Sequence, residues 1–268
     1  MARIRINTSL GSAVEFDHVS LALPKRKRRQ GGGRRQRLRR LAGETRREEF
    51  PALSDATFAV ATGESVLVLG ARSAHRRALL RLAAGTLLPD SGSVVRRFPW
   101  IPMIDLARTL GRGFTVRHNI YLLGGLLGMT PAEVTDRVAA IAETAGLTQK
   151  LDRHLGQAPA SVRQKLAWAT AMATDAQAYA IDEVLAVGEP AFRERCFAQV
   201  SELRARGVTF LVATDTPRQL DAVFDRALYI DEESRVHSLD VDAGIERMRA
   251  ARRALRADED PQEFEDDN

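Results

Sequence analysis

Apolar and polar positions alternate with a period of two through residues 14–19 (VEFDHV), which predicts a strand with one buried face. A second strand is predicted over 56–61, ending at the turn Gly63-Glu64. Residues 65–69 (SVLVL) are almost uniformly apolar, the pattern of a strand covered on both faces. The period then changes. After Gly70 and a polar stretch, residues 77–84 repeat apolar positions at helical spacing and stop at Gly85, and Pro89-Asp90-Ser91-Gly92 reads as a turn. Further helices are predicted over 116–127, 131–145, 161–173, 190–206 and 216–224, and strands over 179–181, 208–213 and 227–230. The helix over 131–145 carries its own boundary marks, with Thr130 as N-cap, Pro131 at the first position, Glu133 completing a capping box and Gly146 at the stop. Strands alternating with helices imply an α/β fold with a mainly parallel sheet. A charged helix over 241–256 then gives way to an acidic tail holding Asp258, Glu259, Asp260, Glu263, Glu265, Asp266 and Asp267, and no internal repeat is visible.

Charge changes this picture in one place. The 268 residues carry a net +5, but residues 25–47 alone hold 12 basic side chains against one acid, Glu44. The remainder has 28 basic and 34 acidic residues, a net of −6. A mildly acidic globular part with one basic segment is not the composition of a protein basic throughout, such as a DNA coat. The segment contains Gly31-Gly32-Gly33 and no apolar periodicity, so it reads as a solvated insertion. The single cysteine, Cys196, excludes an internal disulfide and a cysteine-cluster metal site. Met1 to Arg5 is followed by no apolar core, so no secretory signal is expected. The longest uncharged, mostly apolar run, residues 120–129, is ten residues, against the roughly 20 of a spanning helix.

Two places carry candidate chemistry. A phosphate-binding P-loop reads G-x-x-x-x-G-K-[ST], where glycines let backbone N–H groups face phosphate, Lys reaches the outer phosphates and the hydroxyl holds Mg²⁺. Here Gly70 is followed by Ala71-Arg72-Ser73-Ala74 and then by His75, Arg76 and Arg77, so the spacing survives while all three chemical positions differ. The alternative is a strand–helix turn with an exposed basic helix start, which still favours anions through the helix dipole. The second place is Ile181-Asp182-Glu183, two adjacent carboxylates closing an apolar strand. Such a pair can hold Mg²⁺ with one carboxylate and polarise water with the other, or can simply cap a strand-to-helix turn.

The string from Asp182 to Gly188 (DEVLAVG) resembles the Walker B and D-loop of ABC-type ATP-binding subunits, and more narrowly the branch that exports polysaccharides such as capsule, O-antigen and teichoic acid. Residues 50–55, 62–64, 79–92, 115–122 (TVRHNIYL) and 166–169 resemble further segments of that family, so the likeness covers about residues 14–231. The resemblance implies an ABC-type P-loop nucleotide-binding domain with a mixed β-sheet over 50–240, and a helical subdomain at about 115–173. The first strand region lies in 1–24, the Arg-rich insertion in 25–49, and the charged helix and acidic tail in 241–268. It implies ATP and Mg²⁺ as cofactors, Glu183 as the catalytic carboxylate and Asp182 as the metal ligand. Gly70, Ser73, Arg76, Arg77, Asp105, Ser161 and Thr214 are then the nucleotide-binding positions. It also implies a membrane-spanning permease partner, a homo- or heterodimer of ATP-binding subunits, and a cytoplasmic place on the inner face of the membrane.

The chain departs from the family at several of these positions. Beyond the P-loop, Ser161 occupies the signature glycine, Thr214 replaces the switch His and cannot act as a ring donor, and Asp105 aligns with the polar Q-loop residue. No aromatic stands near Leu21-Ala22-Leu23, where an adenine-stacking Tyr is expected. The expectation is therefore an exporter subunit with weak or absent hydrolysis, Arg76 and Arg77 partly replacing Mg²⁺ by neutralising Asp182 or holding a phosphate. The alternative is a non-hydrolysing scaffold or regulator held on a membrane or on nucleic acid by its Arg-rich segment. Without interleaved aromatics that segment reads first as a solvated loop; if it has a partner, anionic lipid is preferred to nucleic acid, because the resemblance implies a place beneath a membrane transporter. His18, His75, His118, His154, His237, Trp100, Trp168 and Cys196 form no ligand or triad spacing and are read as core or surface residues.

Overall fold

The computed structural model describes residues 11–24, 48–156, 158–182, 190–215 and 223–259. The Arg-rich segment, Glu183, the rest of the DEVLAVG string after Asp182, most of the helix predicted over 216–224 and the acidic tail after Glu259 lie outside the described residues.

Two sheets form the frame. Strands β1 (Ser12–Pro24), β2 (Glu49–Ala61) and β4 (Ser91–Arg96) make an antiparallel sheet in the order β2-β1-β4. Strands β3 (Ser65–Gly70), β5 (Ile101–Met103), β6 (Ala178–Asp182), β7 (Thr209–Ala213), β8 (Arg226–Ile230) and β9 (Val236–Leu239) make the second, in the order β5-β6-β7-β3-β8-β9. All its pairs are parallel except β8 with β9. The apolar run of β3 is buried at every position, as are β6 and β7, the expected state of parallel strands covered on both faces.

Alternation along those strands sorts the interior into two cores. Val66, Val68, Ala180 and Leu211 face a core shared with the antiparallel sheet and helix α1 (Ser73–Ala83). Leu67, Leu69, Ile181 and Val212 face the opposite core. That core is built with α2 (Val116–Leu126), α3 (Pro131–Thr144), α4 (Ala160–Met172), α5 (Pro190–Ala205) and α6 (Val241–Glu259). Phe192 and Trp168 fill it, and the Trp168 Nε1–H donates to Gln199 Oε1 at 3.0 Å. Cys196 is buried there too, and burial pushes its thiol up to about 12.

The helical region is locally specified. The Thr130 Oγ1 accepts the Glu133 N–H at 3.3 Å. The Glu133 carboxylate accepts the Thr130 N–H at 2.7 Å and the Thr130 hydroxyl at 2.8 Å, and these two bonds hold the Glu133 carboxyl below its ordinary value. The backbones of α2 and α3 approach closely at Gly124, where a Cβ would meet Val134 Cγ2 at 2.7 Å. Asn119, buried in α2, ties down the preceding loop. Its Oδ1 accepts the Gly111 N–H at 2.7 Å, while its Nδ2 donates to Gly111 O at 3.0 Å and Thr115 O at 2.9 Å.

Candidate functional site

The turn between β3 and α1 is shorter than the sequence predicts. The helical spacing of 77–84 suggests a polar loop through Arg76, but α1 begins at Ser73, leaving only Ala71 and Arg72 between strand and helix. The reason is compositional. Residues 73–77 contain neither Gly nor Pro and are compatible with helix, so the winding starts early. Gly70 is required at the strand end, since a Cβ there would lie 2.9 Å from the Ile230 carbonyl oxygen. Arg72 occupies the N-cap position without a side-chain cap bond, and the first turn holds no acid.

Winding residues 73–76 into α1 turns His75 and Arg76 inward. The Arg76 residue is 0% exposed, and its guanidinium donates to Gly70 O at 2.5 Å and to Asp215 Oδ1 at 2.5 Å. Asp215 follows β7 and accepts a second guanidinium, that of Arg252 from α6, which also donates to the Asp215 carbonyl oxygen at 2.9 Å. His75 stacks on Phe50 with centroids 5.7 Å apart. Burial, then the charges of Arg72 and Arg76, hold its imidazole below the ordinary value. Phe50 lies opposite Leu23 in the β1–β2 register, so an aromatic does reach the Leu21–Leu23 region, from the neighbouring strand.

Arg77 points to the end of β6. Its Nε donates to Asp182 Oδ2 at 2.7 Å, and its Nη1 lies 3.9 Å from Asp105 Oδ2. Asp105 has a left-handed backbone with φ 52° and starts the one-turn 3-10 segment Leu106–Arg108. Arg77, Asp105, Arg108, Gln164, Trp168 and Asp182 line a cavity of about 240 Å³. Two oxygens of its lining residues, Asp182 Oδ1 and Gln164 Oε1, are buried without a hydrogen-bond partner.

The structure thus joins Gly70 to Arg76, and Arg77 to Asp182 and Asp105. Ser73 is exposed at the start of α1, Thr214 is buried just after β7, and Ser161 sits in the first turn of α4. Among the described residues no hydrogen bond or ion pair links Ser161 to the Arg77 cluster. Asp215–Arg252 and His75–Phe50 escaped the sequence reading. Their partners lie 37 and 25 positions apart, and no local pattern marks them.

The residues present do not fit MgATP as a P-loop holds it. An arc of backbone N–H groups needs four loop residues between its glycines, and here two of the four, Ser73 and Ala74, are already helical. The hydroxyl that would ligate Mg²⁺ is replaced by Arg77, whose guanidinium already occupies one oxygen of Asp182. A guanidinium beside a carboxylate neutralises the charge that a divalent cation would use.

No family model matches the chain. Over 182 residues it is 31% identical to the ABC transporter protein AbcA of Aeromonas salmonicida, an alignment covering 68% of this chain and 59% of that relative. The chain therefore spans less than two thirds of AbcA. It is also 31% identical, over 183 residues, to the O-antigen export system ATP-binding protein RfbB of Klebsiella pneumoniae, covering 68% of this chain and 74% of that protein. A solved ATP-binding subunit of an ABC transporter superposes with a TM-score of 0.67 over 92% of this chain and 99% of its own, at 17% identity, which is a likeness of fold. The identities place the chain, and the superposition agrees with them in fold: the chain belongs to the ATP-binding-cassette family.

Proposed function

We propose that the chain is the cassette subunit of a polysaccharide exporter, with weak nucleotide binding and weak or absent ATP hydrolysis. The observation that carries the second half is the Arg77–Asp182 pair at 2.7 Å, a fixed cation where a cassette would recruit Mg²⁺. Supporting the first half is the likeness to RfbB, named for O-antigen export. The chain works on the cytoplasmic side, docked on a separate permease through its helical region, and pairs with a second ATP-binding subunit. An apolar surface favours that docking face: Leu122 and Leu126 are 37% and 63% exposed and one helical turn apart on α2, with Phe114 at 49% in the loop before it. No helix among the described residues is long and apolar enough to cross a membrane.

Within this reading the chain's own residues do little chemistry. Arg77 holds Asp182, Arg76 holds the end of β3, and Glu183 is the remaining candidate base. ATPase assays on the reconstituted transporter, wild type against Glu183→Gln, test it. The expected result is a wild-type rate near background, with any residual turnover lost in Glu183→Gln. A normal rate lost in Glu183→Gln overturns weak hydrolysis, and copurification of nucleic acid with no permease overturns the exporter reading.

A further inference from the structure

We propose that Asp215 is a built-in counter-anion for Arg76, held in place by Arg252, so that helix α6 controls the access of phosphate to the β3–α1 turn. The inference rests on reading the chain as a cassette subunit, and adds a regulation that the fold alone does not imply.

Three elements distant in sequence meet at one carboxylate. The Arg76 side chain is 1% exposed, and a buried cation needs a counter-charge. Asp215 Oδ1 supplies it at 2.5 Å and is shared with the guanidinium of Arg252. Arg252 grips the backbone of Asp215 as well, through the 2.9 Å bond to its carbonyl oxygen, so the position of the carboxylate is set by α6. Helix α6 is itself seated firmly. Ile245, Met248 and Ala251 are buried, and Gly244 allows an approach in which a Cβ would stand 2.9 Å from Ala227 Cβ and 3.0 Å from Leu69 Cδ1. Leu69 is the residue before Gly70, so α6 packs on the strand that leads into the turn.

The chemistry of the exchange follows from the groups. At the equivalent place in a phosphate-binding turn, a cation one position into the helix reaches a phosphate oxyanion. Here a carboxylate of the same chain satisfies that cation, and a guanidinium binds carboxylate and phosphate with the same planar fork. Removing or displacing the carboxylate takes from the buried Arg76 guanidinium the charge that balances it, an environment that favours an oxyanion in its place. The ligand class is phosphate, free or carried by a nucleotide, and its competitor is Asp215.

Calorimetric titration of the full chain with ADP and with inorganic phosphate, without Mg²⁺, tests the proposal. The variants are Asp215→Asn, Arg252→Ala and Arg252→Gln, the last keeping much of the side-chain stem packed if Ala disturbs α6. Relative to wild type, affinity is expected to rise by roughly 5- to 150-fold, the usual span of coupling between linked sites. Adding Arg76→Met to Asp215→Asn should remove the gain. A gain for ADP alone assigns the anion to a nucleotide, and a gain for both assigns it to phosphate itself. No gain in Asp215→Asn with a native circular-dichroism spectrum overturns the internal anion. A gain in Asp215→Asn with none in either Arg252 variant overturns control by α6. Loss of permease copurification would sink the exporter reading while leaving these titrations unaffected.

Discussion

Helices α1 and α3 begin in opposite ways. At α3 the chain satisfies its own first turn, with Thr130 and Glu133 exchanging bonds to each other's N–H and an acid placed toward the positive end of the dipole. At α1 the N-cap is Arg72, whose side chain makes no cap bond, and the first two turns bring His75, Arg76 and Arg77. The acids that balance Arg76 and Arg77 arrive from remote elements, Asp215 from beyond β7 and Asp182 from the end of β6. A helix start can therefore be completed locally or by the tertiary structure. Only the second kind can respond to what happens elsewhere in the molecule.

The contrast can be broken most severely at Arg76. Arg76→Ala empties a fully buried volume and strips Gly70 O and Asp215 of a charged donor, so urea unfolding should show a loss of about 2–5 kcal/mol. Thr130→Ala removes a cap made within one turn, and the expected loss is about 1 kcal/mol with no change at the β3–α1 turn. Equal losses from the two substitutions would mean that both helix starts are local.

The smallest effect is in pH. The folded chain holds the His75 imidazole below its ordinary 6.5, so below that pH the unfolded chain binds a proton that the folded chain does not. Stability from this group is complete above pH 6.5 and declines as pH falls through it. His75→Phe retains a ring against Phe50, and the wild-type-minus-variant difference in melting temperature should therefore become more negative from pH 7.5 to pH 5. A flat difference would mean that His75 titrates normally.

What could be read beforehand follows the same division. The capping box of α3 lies within four consecutive residues and was legible to the residue. Strands β3, β6 and β7 were legible because both their faces are buried and their apolar runs have no helical alternative of that length. Strand β4 begins inside what reads as a turn, since Ser91-Gly92-Ser93 has no apolar pattern and owes its place to pairing with β1. Strand β5 is three residues around Pro102 at a sheet edge, where a missing N–H is tolerated. Strand β9 is four residues, only half-buried. At the site, the identities of Asp182, His75, Arg76 and Arg77 stand in the sequence, but the places of their side chains do not. The early start of α1 was not legible there either, and it is what turns Arg76 inward. Its partner Asp215 lies 139 positions away, a distance no local pattern spans.

The Asn119 knot has a consequence for the exposed Phe114. The backbone around that ring is fixed by bonds from Leu155 N–H to Phe114 O at 2.8 Å, from Gly156 N–H to Arg112 O at 2.8 Å and from Asn119 to both sides of it. An apolar side chain offered from an already ordered loop surrenders little conformational entropy when a partner covers it, so more of the burial it provides survives as affinity.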